Sequence, residues 1–285
     1  MMLRALIALL LLAAPATAQP ALWRIADADT DMLLFGTIHV LHPDSVWLDD
    51  AVRDAVDGAD VLVLETELDG DAQARASRLA ERHSYLRPGQ ALSEVLGDDA
   101  PLLAQAAAAL DLDPALLQSY RPWMASLVLS LRFAELQGQE AAAGADVILL
   151  ERARSAGARI AYLETPEQQI AVFTELSPQG EREMLAATLR EIAETPDILA
   201  RMDAAWLGGD TDALAALSID SMRREAPELY DAALLARNRA WTEQLDAMMD
   251  RPGRIFVAVG AGHLLGGDSI QALMQARGHE AERLR

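Results

Sequence analysis

The chain contains no cysteine and no lysine. Without cysteine there are no disulfides, thiolate metal centres, iron–sulfur clusters or cysteine nucleophiles. Without lysine there is no Schiff-base chemistry, no pyridoxal-phosphate anchor and no phosphate-gripping Walker lysine. All 24 basic residues are therefore arginine, against 44 acidic ones, for a net charge of −20. So acidic a chain is repelled by nucleic acids and anionic lipid surfaces, and nucleic-acid binding is not expected. No segment after the N-terminal region reaches the ~18 uninterrupted apolar residues that a membrane-spanning helix needs. Neither a Gly-x-Ser-x-Gly elbow nor a His-Glu-x-x-His helix occurs.

What is present is globular: 285 residues, 52% hydrophobic and 24% charged, enough for one large domain or two modest ones. Met1 to Ala18 carries Arg4, the apolar run Ala5–Ala14, Pro15 and the small triplet Ala16-Thr17-Ala18. This is the layout of a secretory signal peptide, too short to span a bilayer; a retained N-terminal anchor is the alternative. With no cysteine after it, a lipoprotein anchor is excluded. The expectation is export to the periplasm or beyond, a single domain over residues 19–285, and no stable membrane insertion after cleavage. Oligomeric state is not readable.

Leu22–Ala26 and Met32–Ile38 read as a hairpin around Asp27-Ala28-Asp29-Thr30-Asp31. Ser45 is a candidate N-cap for a helix bearing Leu48, Val52 and Val56 and stopping at Gly58. Val61–Leu64 is a continuous apolar run, as in a buried parallel strand. Residues 71–157 and 166–249 are mainly helical, with a strand at Arg159–Leu163 between them. Ile255–Val259 is a clear strand, followed by a helix over Ser269–Ala276 and a short strand near Ala281–Leu284. The expected fold is α/β: a central mixed sheet with a large helical insertion. Leu34-Phe35-Gly36-Thr37-Ile38-His39 and Ala258-Val259-Gly260-Ala261-Gly262-His263 share the order strand, Gly, two residues, His. Each leads on to a helix and another strand, which suggests two β-α-β-like halves from the two ends of the chain.

His39, Glu65, Glu164 and His263 each lie at or just beyond the C-terminal end of an expected strand. That is where open α/β sheets place their ligand crevice. Two imidazoles with one or two carboxylates suit a divalent ion (Zn, Mn, Fe or Co) with positions left for water and substrate. Such an ion would serve a metal-dependent hydrolase. Gly260 and Gly262, flanking the approach to His263, would let backbone and ligand come close. Each residue also has a plainer reading. His39 could be a loop residue bonded to backbone, and Glu65 could be paired with a buried arginine. Glu164 could belong to a helix start with Thr165-Pro166-Glu167. Glu67 is a supporting group or merely solvated, His42 could replace His39, and His83 and His279 read as surface. Gly260-Ala261-Gly262 with Gly266 imitates a dinucleotide fingerprint, but its third glycine falls one residue late.

Taken in order, Leu22-Trp23-Arg24, Leu34-Phe35-Gly36-Thr37-Ile38-His39-Val40-Leu41, Val63-Leu64-Glu65 and Arg121-Pro122-Trp123 resemble the TraB/GumN family, which includes the TIKI-type proteases. Leu163-Glu164-Thr165-Pro166-Glu167-Gln168, Arg237-Asn238-Arg239-Ala240-Trp241 and Val259-Gly260-Ala261-Gly262-His263-Leu264 extend the resemblance across nearly the whole chain. The family belongs with the erythromycin-esterase-like and haem-binding ChaN-like folds. The resemblance implies a sheet flanked by helices, with both Gly-x-x-His motifs, at Gly36 and Gly260, meeting at one site. It implies His39 and His263 as metal ligands or catalytic imidazoles, Glu65 as the matching acid and Glu164 as a further one. Arg237 and Asn238 become polar groups presented from the helix before the last long strand. For Arg237 a structural ion pair with a strand-end glutamate remains the alternative. The leading expectation is an exported, divalent-metal-dependent hydrolase acting on a peptide. A non-catalytic binder of haem, metal or a polysaccharide intermediate, and a metal-independent esterase, are the rivals.

Overall fold

The computed structural model describes residues 19–285, so the expected signal peptide lies outside the described residues. Among the described residues, six strands form one mixed sheet: β1 (Leu22–Ala26), β2 (Thr30–Thr37), β3 (Val61–Leu64), β4 (Arg159–Tyr162), β5 (Gly253–Gly260) and β6 (Ala281–Arg283). Their spatial order is β4-β3-β5-β2-β1-β6. β1 and β2 are the expected hairpin. It turns where the Asp27 carboxylate accepts the backbone N–H groups of Asp29 and Thr30, the local bonding for which Asp is favoured in turns.

β2, β5, β3 and β4 run parallel, so the chain leaves all four at the same edge of the sheet. Adjacent residues along each strand serve opposite faces. Phe35, Leu62 and Phe256 pack with Trp47 and Trp206 on one side. Leu34, Val63 and Val257 pack with Trp23 and Trp241 on the other. A sheet covered on both faces accounts for the unbroken apolar runs in β3 and β5.

The likeness between the two ends of the chain has a direct structural expression. β2 and β5 are neighbours, with Gly36 opposite Val259 and Thr37 opposite Gly260, so the two Gly-x-x-His segments leave the sheet side by side. Gly36 is required there: a Cβ would stand 2.9 Å from the Cα of Ala261.

The helical segments form a layer of their own, in which helix Pro122–Leu136 packs on helix Pro178–Glu194 through Leu129, Phe133, Leu185 and Leu189. Trp206 ties this layer to the sheet by donating from Nε1 to the Gly36 carbonyl at 2.8 Å. One boundary differs from expectation. The first helix spans Asp50–Asp57, not a segment capped by Ser45, because Asp49 accepts the Val52 N–H and caps it instead. The residues before it stay irregular, and Trp47 fills the core against Phe35.

Candidate functional site

His39 follows β2, Glu65 follows β3, Glu164 follows β4 and His263 follows β5, all at the common edge. A fifth element faces them: helix Ala236–Met249, which opens directly after a π-helical turn at Asp231–Leu235 and carries Arg237 and Asn238. Such wide turns inside helices recur at functional sites. Here the turn turns its Ala233 carbonyl to Arg237 Nη1 at 3.0 Å.

Arg237 is the hub. Its Nη2 donates to Glu65 Oε2 at 2.7 Å and to Glu164 Oε1 at 2.7 Å, while Nε donates to Glu164 Oε2 at 3.0 Å. The guanidinium also lies 4.3 Å from the Trp241 ring centroid, a cation–π contact. One cation thus grips Glu164 with both arms of its fork and shares a third bond with Glu65. The two readings of Arg237 converge: it is an ion pair with strand-end glutamates and also a wall of the cleft.

Glu65 keeps its other oxygen for the neighbouring strand, where Oε1 accepts the Gly260 N–H at 2.6 Å. Burial alone would raise its pKa. The charge His263 carries when protonated, the Arg237 guanidinium, His39 and the Gly260 N–H outweigh burial and hold the carboxyl near 2. Glu164 moves the other way, because its burial is only partly offset by Arg237.

His263 is buried, and its orientation is fixed from behind. Asn238 donates from Nδ2 to the Asp268 carbonyl at 2.7 Å, which leaves Asn238 Oδ1 as an acceptor 2.6 Å from His263 Nδ1. The proton therefore sits on Nδ1, and Nε2 presents a lone pair 3.2 Å from Arg237 Nη1 and 3.5 Å from Glu65 Oε1. Burial drives the ring's pKa down to about 3, so it is neutral at ordinary pH.

His39 stands at the mouth, its side chain 58% exposed, with Nδ1 3.4 Å from Asp146 Oδ2. Desolvation of the ring works against its cation, but Asp146 and Glu65 prevail and raise its pKa. Its Nε2 faces inward. Glu65 Oε1, His39 Nε2 and His263 Cδ2 lie 3.1, 3.5 and 3.7 Å from the one point that a Cβ on Gly260 would occupy. Three candidate side chains thus surround a space that glycine leaves open. They line a cleft of roughly 330 Å3 together with Thr37 and Arg237, a volume in the range of ligand sites.

Other expected residues fall elsewhere. Gly36 serves packing, not the cleft, and the face of Gly262 that lacks a Cβ points to Ile219 and Leu234. Of the three glycines, Gly260 alone opens onto the cradle. Asn238 and Glu164 act through His263 and Arg237. Glu67 is bound by Arg75 at 2.6 Å, and His42 accepts the Asp44 N–H at 3.2 Å. His279 pairs with Asp246, and His83 is exposed. Glu164 also precedes a true helix start, in which Thr165 and Gln168 form a capping box.

Asp146 escaped the sequence reading. It lies in the first turn of helix Ala145–Ala156, where an acidic residue reads as an ordinary complement to the helix dipole. The usable signal is Gly144, where any Cβ would overlap the His39 carbonyl oxygen.

Whether these side chains suit a divalent ion can be judged from their geometry. Glu65 Oε1 and His263 Nε2 are 3.5 Å apart, close to the edge between two ligands each held at about 2.1 Å by a tetrahedral ion. Both imidazoles have Nδ1 turned to an acceptor, the usual support for a metal-binding histidine. His39 turns its Nε2 to the cradle, and His263 turns its ring edge there, with Nε2 beside Glu65 and Arg237. Among the described residues, no three His, Asp or Glu side chains already form a closed ligand set. The donor types fit. Closure requires His39 to swing inward and Arg237 Nη1 to release His263.

An α/β sheet with its polar groups gathered at parallel strand ends, and with its two ends paired through Gly-x-x-His segments, defines the class. The chain belongs to the TraB/PrgY/gumN family, whose profile matches residues 21–283. It is similar to the "Uncharacterized protein YbaP" of Escherichia coli (strain K12), 27% identical over 243 residues that cover 85% of this chain and 87% of that protein. The YbaP of Shigella flexneri matches to the same extent. No solved structure matches the chain.

Proposed function

We propose that the cleft is a hydrolytic site that cuts a peptide bond with the help of a divalent ion (Mn, Co, Zn or Fe) held by His39, Glu65 and His263, in an exported protein. The observation that carries this reading is the cradle over Gly260, where a carboxylate held ionised at ordinary pH, the Nε2 of His39 and the ring edge of His263 approach one point. When bound, such an ion acidifies water and polarises a carbonyl.

The chain's own groups perform the remaining work. Asn238 keeps the His263 Nε2 free of a proton, whereas the His39 ring, favoured as a cation by Asp146, gives up its Nε2 proton on binding. Glu164 anchors Arg237, and Arg237 keeps Glu65 charged in a buried position. The same guanidinium, on the cleft wall, is placed to receive negative charge developing on a substrate carbonyl oxygen. Leu199, Met202 and Leu234 give the cleft an apolar flank.

The 3.2 Å contact between Arg237 Nη1 and His263 Nε2 favours a second reading, in which the same residues work without an ion. Glu65 would then activate water directly, because Arg237 already occupies the His263 lone pair.

The test is a screen of peptides and esters with the untagged protein, with Mn, Co and Zn supplied or EDTA added, beside a His39→Ala, His263→Ala double variant. Ion-dependent peptide cleavage that EDTA and the double variant both abolish is expected. EDTA-insensitive cleavage would reject the ion and retain the hydrolase. Failure on every substrate, with saturable haem or ion binding, would make the protein a binder.

A further inference from the structure

We infer that the cleft continues past Leu199 and Met202 into a second chamber, which receives a large apolar side chain of the peptide being cut; this deepens the hydrolytic reading and rests on it. Leu199 and Met202 border both cavities, the cleft of roughly 330 Å3 and a neighbouring one of about 700 Å3. They lie on helix Ile198–Leu207, whose spacing of three residues puts both on one face. The helix is thus a wall common to both, and the two cavities adjoin along Leu199 and Met202.

The chamber falls between two packed clusters of the helical layer. Leu199, Met202 and Leu217 belong to the fringe of one, and Met184, Met222 and Leu229 to the other. Methionines from both clusters face this cavity, and Met202 and Met222 also touch the sheet-side core. Methionine is flexible and polarisable and adapts its shape to what it meets.

The polar groups on the chamber wall are largely spent on one another. Ser126 Oγ and Thr188 Oγ1 are 2.7 Å apart, and Arg190 donates to Glu225 from both Nε and Nη2 at 3.1 Å. Ser221 also donates to Glu225, at 3.2 Å. What the wall offers a ligand is apolar surface. Glu191 and Glu194, exposed at its edge, disfavour an anion such as a free fatty acid. The remaining occupant is the uncharged apolar side chain of a peptide whose backbone lies in the cleft. A hydrophobic pocket separates side chains that differ by one methylene by about 10–200-fold.

The test has a binding arm and a turnover arm. In the first, methionine-methyl NMR of the whole protein follows a non-cleavable peptide bearing leucine or phenylalanine, against its serine counterpart. The apolar peptide is expected to shift the Met184, Met202 and Met222 methyls, and the serine peptide to leave Met184 and Met222 in place. In the second, Met222→Trp narrows the chamber at a distance from the cleft. It is expected to lower the ratio of kcat/KM for leucine over alanine peptides about tenfold. Unmoved methyls, or a ratio that Met222→Trp leaves intact, overturn the chamber while hydrolysis stands. Methyl shifts without turnover of any peptide keep the chamber and reject the hydrolase. Should Met222→Trp not fold, the methyl shifts of the unaltered protein decide alone.

Discussion

Arg237 Nη2 donates to Glu65 Oε2 at 2.7 Å, joining a helix to the end of a strand 172 residues earlier in the chain. The same nitrogen serves Glu164, so a single guanidinium pairs with two buried carboxylates. Removing one partner of a buried pair leaves an uncompensated charge and costs about 3–5 kcal/mol. Arg237→Met strands two carboxylates and is expected to lose at least that much, measured by urea unfolding. Glu164→Gln leaves Glu65 its partner and is expected to cost clearly less. Equal stability of Arg237→Met and the unaltered protein would contradict the hub.

Gly260 and Gly36 are expected to respond to alanine in opposite ways. The Gly260 backbone, at φ −50° and ψ 136°, suits any residue, and the added methyl would fill the cradle between Glu65, His39 and His263. Gly260→Ala should fold with little change in Tm and lose ion binding and activity. Gly36→Ala meets the Ala261 backbone and should lose about 1–3 kcal/mol, the usual cost of overpacking. Thermal melts of both variants beside ion titration of Gly260→Ala check the contrast.

Acid should destabilise the fold from below pH 6.5. The His263 ring titrates near 6.5 when unfolded and near 3 when buried. Between those values the unfolded chain takes up a proton that the folded chain refuses. The contribution is complete above pH 6.5 and is lost towards pH 3, at about 1.4 kcal/mol per pH unit for one such group. Glu65, ordinarily near 4.5 and held near 2, adds a loss of the same sign below pH 4.5. His39, with its pKa raised, acts on the other side: its contribution is full and constant below pH 6.5 and fades as pH rises above it. Unfolding free energy measured against pH should therefore fall from 6.5 downwards, and His263→Gln should flatten the fall between 6.5 and 4.5. An unchanged slope in that variant would show that His263 is not the proton acceptor.

Asp146→Asn should lower the His39 pKa towards its ordinary value, because the carboxylate 3.4 Å from Nδ1 supplies part of the shift. An imidazole NMR titration of both proteins reads the change. An unaltered titration would mean that Glu65 alone sustains it.

Much of this arrangement was legible in the sequence. β3 matched its apolar run of Val61–Leu64 residue for residue, because a strand buried on both faces has no polar position to blur its ends. His39, Glu65, Glu164 and His263 were found by one rule, that parallel strands deliver their C-terminal residues to one edge. The bonds of Arg237 could not be read from spacing, since they depend on how a distant helix lies across the strand ends. Asp146 was hidden because an acid in a first helical turn looks ordinary. Gly36 and Gly260 looked equivalent in the repeat, and only the one-residue offset between Gly36–Val259 and Thr37–Gly260 gives one to packing and the other to the cradle. The Ser45 cap failed because Asp49 competes for the same helix and lies within reach of the Val52 N–H.

Calorimetric titration of untagged protein with Mn, Co or Zn, beside Gly260→Ala and the His39→Ala, His263→Ala double variant, tests the cradle most directly. One ion per chain in the unaltered protein, and none in either variant, is the expected result. Equal binding in all three, or none in any, would contradict a metal site between the two Gly-x-x-His segments.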